Sequence, residues 1–90
     1  MANRKGKTES GFAYSIDDKV IDDMELVEDL AAADAGDNAR FISAITKILG
    51  EKQKAKLYNH LRNKQGRVPV EAVGNEIREI LTALGEDGKN

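Results

Sequence analysis

Between residues 11 and 85 the apolar positions fall into one short alternating stretch and four bouts of helical spacing, separated by glycines and a single proline. Phe12, Tyr14 and Ile16 alternate with small residues, which places all three on one side of an extended segment spanning 11–16. Steps of three and four begin at Val20 and run through Met24, Val27, Leu30 and Ala31. They predict a helix over about 18–34, with Asp17 or Asp18 as N-cap, acids in the first turn and Gly36 just past the end. Phe41, Ile42, Ile45, Ile48 and Leu49 predict a second helix over 39–49 that stops at Gly50. A third, over 51–65, carries Ala55, Leu57, Tyr58 and Leu61 on an otherwise basic surface, with Gly66 as its stop. Pro69 suits a first helical turn, where its missing donor costs nothing, so the fourth helix covers 69–84 before Gly85. Its stripe of Val70, Val73, Ile77, Ile80, Leu81 and Leu84 is the longest in the chain and the expected core, and Gly74 within it is expected to permit close helix contact.

The short connections predict a mainly α fold, a small bundle of about four helices. Residues 1–10 are polar, small and basic, too poor in apolar surface to offset the entropy of ordering, and are expected to form a disordered tail. Residues 11–90 then make one helical domain led by the short extended segment. A lone strand leaves its backbone donors and acceptors unpaired. Phe12, Tyr14 and Ile16 must therefore either pack on the helices or serve as an arm to another chain, and they are candidate interaction residues on the second ground.

Composition narrows the chemistry. Of 90 residues, 40% are hydrophobic but only two are Phe, two Tyr and none Trp, so aliphatic side chains supply the core. With no Cys there is no disulfide framework, thiol nucleophile or thiolate metal site. No stretch approaches the roughly 20 apolar residues of a bilayer span, and no apolar h-region follows the basic start. The net charge of -2 conceals segregation: residues 17–37 hold nine acids against Lys19, and residues 40–67 hold eight bases against Glu51. Two readings stay open. The blocks face each other inside the fold or simply solvate it, or they steer a partner or a second copy. On the second reading Lys52, Lys56, Arg62 and Lys64 are candidates to pair with Asp22, Asp23 and Glu28 of a neighbour.

Candidate chemistry is sparse, and the chain reads as non-enzymatic, with no catalytic, cofactor-binding or metal-binding residue assigned. His60 has no acid near it in sequence and lacks the other members of a triad or metal site. A calcium-loop register from Asp34 puts Ala39 where Gly is needed and Ile45 where a bidentate Glu is needed. The glycines match no phosphate-binding spacing. Nucleic acid is the rival partner, because Lys52, Lys54, Lys56, Arg62, Lys64 and Arg67 cluster and Gly66 fits a helix-turn-helix corner. The following helix argues against it, carrying Glu71, Glu76 and Glu79 against Arg78 where bases would be read.

Several runs resemble tail assembly chaperones of long-tailed phages and prophages of Gram-positive hosts: Gly50-Glu51-Lys52-Gln53, Leu57-Tyr58-Asn59-His60-Leu61-Arg62, Gly66-Arg67-Val68-Pro69-Val70-Glu71-Ala72-Val73, and Glu76-Ile77-Arg78-Glu79-Ile80. Ser10-Gly11-Phe12, Ile16-Asp17 and Asp22-Asp23-Met24-Glu25-Leu26 add to the likeness, which covers most of the chain from Gly11. The resemblance implies a protein of the host bacterial cytoplasm that binds the phage tape-measure protein, keeps it soluble and helps tail-tube protein assemble around it, in many self-associating copies. It also implies a longer product made by ribosomal frameshifting, for which Gly88-Lys89-Asn90 can be encoded with a slippery A AAA AAC run. A structural component retained in the virion tail and a nucleic-acid-binding regulator remain the alternatives.

Overall fold

A computed structural model of the protein describes residues 3–87, so the Gly88-Lys89-Asn90 run lies outside the described residues. The chain begins with a hairpin where a disordered tail and a lone extended segment were expected. Strand β1 (Asn3–Lys7) pairs antiparallel with β2 (Ala13–Asp17), setting Arg4 opposite Ile16 and Gly6 opposite Tyr14. The polar sequence of β1 has no apolar alternation of its own, and the partner strand supplies what composition could not: a ladder for the backbone. The connecting turn is tied by Thr8, whose N–H donates to Phe12 O and whose Oγ1 accepts from Phe12 N, while Gly11 at φ +97° takes a conformation that suits Gly. Gly6 leaves room for the Tyr14 ring to fold across the strand; a Cβ there would collide with the phenol.

Helix α1 (Met24–Asp34) starts later than the expected residue 18. Asp17 Oδ1 accepts from Lys19 N, and turns follow from Val20 N to Asp17 O and from Asp22 N to Lys19 O, so side-chain and turn bonds hold this backbone out of a helix. Asp23 caps instead, its carboxylate accepting from Glu25 N at 3.0 Å. The later start shifts the buried face. Leu26 is 1% exposed, while Met24, expected in the stripe, is 70% exposed.

The second and third expected helices form one element, α2 (Asn38–Leu61), giving three helices among the described residues in place of about four. The break at Gly50 is real all the same: at φ +78° and ψ 167° it lies in a region open essentially to Gly alone, and the halves 38–49 and 51–61 change direction there. The second half ends at Leu61, short of the expected residue 65, because Asn63 competes for the backbone. Its Oδ1 accepts from both Gln65 N and Arg67 N.

Helix α3 (Val70–Asp87) runs past Gly85, where it was expected to stop. Val73, Ile77, Ile80 and Leu84 are buried and meet Ala44, Ile45, Ile48, Leu49 and Leu57 of α2, Leu26 of α1, and Phe12 and Ile16 of the hairpin in one core. Val70, expected in that core, is 63% exposed. Glu76 is buried, and its Oε1 has no hydrogen-bond partner among the described residues, an arrangement that costs stability. The radius of gyration of 12.8 Å is close to the roughly 12 Å expected for a globule of this length.

Candidate protein-interaction surface

The hairpin is held to the helices by side chains that the alternating pattern could not reveal. The Gln53 amide takes the place of a third strand on the outer edge of β2, accepting from Ser15 N at 2.7 Å and donating to Ser15 O at 2.8 Å. The turn is anchored at both ends: Glu9 N donates to Glu79 Oε2 at 2.8 Å, and Ser10 Oγ lies 3.0 Å from His60 Nε2. The His60 ring also sits 5.9 Å from the Phe12 ring. Phe12 at 4% exposure and Ile16 at 3% belong to the chain's own core, the first of the two placements open to this segment. Tyr14, half-buried, packs against the same core. The single His thus acts as a clamp for the hairpin.

Among the described residues the opposed charge blocks meet inside the chain at Asp29. Asp29, 3% exposed, accepts from Arg40 Nε at 2.6 Å, Ser43 Oγ at 2.7 Å and Lys47 Nζ at 2.6 Å. Those bonds, from Lys47 first and then Ser43 and Arg40, hold its carboxyl far below the usual carboxylate range against the opposing effect of desolvation. Arg40 and Lys47 are raised in turn, chiefly by their bonds to Asp29. Residue 29 reads as polar in any apolar pattern, yet it sits in the middle of the face that α1 lays on α2. This network fixes α1 against the first half of α2.

The candidate interaction charges stay at the surface. Asp22 and Glu28 are exposed, and Asp23, also exposed, serves as the α1 cap. Lys52, Lys56 and Lys64 are exposed; Arg62 is exposed too, but its guanidinium donates to Gly66 O and Asn59 Oδ1 and so is engaged in closing the end of α2. Among the described residues Lys52, Lys56, Arg62 and Lys64 make no ion pair with Asp22, Asp23 or Glu28 of the same chain; Lys54, beside them, bonds Glu51 on its own helix at 3.2 Å.

Apolar surface collects elsewhere. An open groove of about 610 Å³ runs between α1 and α3 across the start of α2. Val27, Leu30 and Ala31 form one wall, Val70, Gly74, Ile77 and Leu81 the other, and Phe41 the floor. A second hollow of about 300 Å³, between Ile42, Ile45, Tyr58, Val68 and Val73, shares Asn38, Phe41 and Val70 with the first and extends it. Gly74 was expected to receive a neighbouring helix, but a Cβ placed there meets nothing within 4 Å. The groove was missed because Val70, Ile77 and Leu81 on its α3 wall were assigned to the core; the signal that could have found it is the breadth of the α3 stripe, wider than one packing partner needs.

Among the described residues no set of three or more His, Asp or Glu converges as a metal position, and no helix is long and apolar enough to cross a membrane. No protein-family model, curated protein or solved structure matches the chain.

Proposed function

We propose that the protein is a non-enzymatic tail assembly chaperone of a long-tailed phage or prophage, working in the host cytoplasm by binding the tape-measure protein and assisting assembly of the tail-tube protein around it. The observation that carries a binding role is the apolar groove between α1 and α3, whose walls expose Val27 and Val70 at 49% and 63%. Exposed apolar side chains gathered in a concavity mark a surface for another molecule. The resemblance of the runs from Gly11 to Ile80 to such chaperones supplies the client. A tape-measure protein is long and helical, and an apolar groove suits a helix laid along it. Repeated client segments would each take a copy, and neighbouring copies would add avidity.

The exposed Lys52, Lys56, Lys64 and Arg67 favour one rival, a nucleic-acid-binding regulator. Co-expression with the tape-measure protein of the same genome, followed by pull-down and a solubility assay, separates the two. The chaperone reading expects a soluble client that co-purifies with several copies of this protein. A client left insoluble and unbound, with duplex DNA retained at moderate salt, would replace it with the regulator.

A further inference from the structure

We infer that the α1–α3 groove is the seat of a single amphipathic helix of about three turns with basic flanks, supplied by a partner and not by a second copy of this chain. The inference deepens the binding role proposed above and does not depend on which protein the client is.

Shape sets the occupant's secondary structure. The α3 wall from Val70 to Leu81 spans eleven residue steps, about 16 Å at the helical rise, which is three turns. The walls repeat at helical intervals, Val27, Leu30 and Ala31 on α1 facing Val70, Gly74 and Leu81 on α3, so the cleft is lined as helix packing requires. At Gly74 there is open space where a Cβ would stand. A helix laid in the groove can approach its backbone closely there. A glycine inside a helix costs stability, and no contact within the chain accounts for this one.

Charge sets the flanks. Helix α1 exposes Glu25, Glu28 and Asp34 and contains no base, with Asp22 and Asp23 before it and Asp37 after it. Across residues 22–47 seven acids stand against Arg40 and Lys47, both of which are bonded to the buried Asp29. On the opposite wall Glu71 and Arg78 offset each other. Asp34 lines the groove itself and the other acids stand on or beside the same helix, so the α1 side carries a negative field that favours a basic partner over an acidic one.

A second copy lacks the means to fill it. The exposed large apolar side chains of the described residues are Ile21, Met24, Val27, Ile42 and Val70. Val27, Ile42 and Val70 line the groove or the hollow that continues it, and Met24 lies one turn before Val27 on α1. Outside the groove and its extension only Ile21 and Met24 remain among these, two side chains beside the start of α1 that cannot fill a cleft three turns long.

The test uses the full chain and two synthetic helices of about four turns, alike in a leucine face and differing in lysine or glutamate flanks, read by fluorescence anisotropy. The lysine-flanked helix is expected to bind at least about tenfold more tightly at low salt, an advantage that shrinks as salt rises. Gly74→Leu, which fills open space, should weaken that binding by about tenfold or more while leaving the far-ultraviolet circular dichroism unchanged. Asp34→Lys should narrow the preference between the two peptides. Equal binding of both peptides, or binding indifferent to Gly74→Leu, overturns the inference. So does a dimer of the unliganded protein that Gly74→Leu splits, which would make a second copy the occupant. If the peptide binds as expected but the tape-measure protein does not, the client assignment falls and the groove stands. If the tape-measure protein co-purifies equally with the Gly74→Leu variant, the groove assignment falls and the chaperone role stands.

Discussion

The two apolar stripes of α3 differ in what covers them. Val73, Ile80 and Leu84 join the core with α2 and the hairpin and are buried, whereas Val70, Gly74 and Leu81, a fraction of a turn around the helix, border open space, with the buried Ile77 on the boundary between them. The closed side is held by directional bonds as well as burial: Gln53 to the Ser15 backbone, Glu79 to Glu9, and His60 to Ser10. The open side has no comparable fastening, because α1 is tied by Asp29 to α2 and kept apart from α3. One helix thus contributes both to the stability of the fold and to the wall of an open groove, and the division follows from where the neighbours are anchored rather than from how apolar the residues are.

Substitutions can break that comparison. Ile80→Ala, at a side chain with no exposure, should lower unfolding free energy by about 2–5 kcal/mol in urea titration, while Val70→Ala should change it by less than about 0.5 kcal/mol. Similar losses at both positions would mean that the groove is closed in solution. Asp29→Asn should lower Tm by about 5–10 °C by calorimetry, because it weakens the acceptor shared by Arg40, Ser43 and Lys47. The pH dependence has a defined sign. A carboxyl whose folded pKa is depressed contributes fully above its unfolded value, roughly 3.9, and that contribution is lost as pH falls toward the folded value. Wild-type stability should therefore decline below about pH 4 more steeply than that of Asp29→Asn.

Smaller effects sharpen the picture. Gly50→Ala should cost about 1–3 kcal/mol, since φ +78° with ψ 167° strains any side-chain-bearing residue. An unchanged denaturation midpoint would show that the two halves of α2 can straighten without loss. Gly74→Ala should act in the opposite direction, raising stability by up to about 1 kcal/mol in the same titration, because its position is helical and its surroundings are empty. A loss there would reveal a neighbour pressed against α3.

How much of this was legible varied with the kind of interaction. The break at Gly50 could be read locally, since a glycine between two apolar bouts has few other uses. The buried set on the first half of α2 followed from spacing, and Ile45, Ile48 and Leu49 are where the period placed them. Helix α1 was misread because an acid occupies the centre of its buried face: with Asp29 there beside Leu26, the pattern ran to Leu30 through the exposed Met24 and Val27 and passed over Leu26. Strand β1 was invisible for a different reason. Asn-Arg-Lys-Gly-Lys has nothing apolar to bury, and its structure comes from hydrogen bonding to β2 and from Gly6 making room for Tyr14.

The groove belongs to the same class. The sequence by itself determined the helical character of the chain, its break points and the segregation of acids from bases, because propensity, period and charge order are properties of neighbours along the chain. Only the tertiary structure decided which apolar face each helix hides, that Asp29 joins the two charge blocks, and that α1 and α3 stand apart with an open cleft between them. Those outcomes depend on packing between segments far apart in sequence, where one buried ion-pair network outweighs the local pattern that would have turned α1 another way.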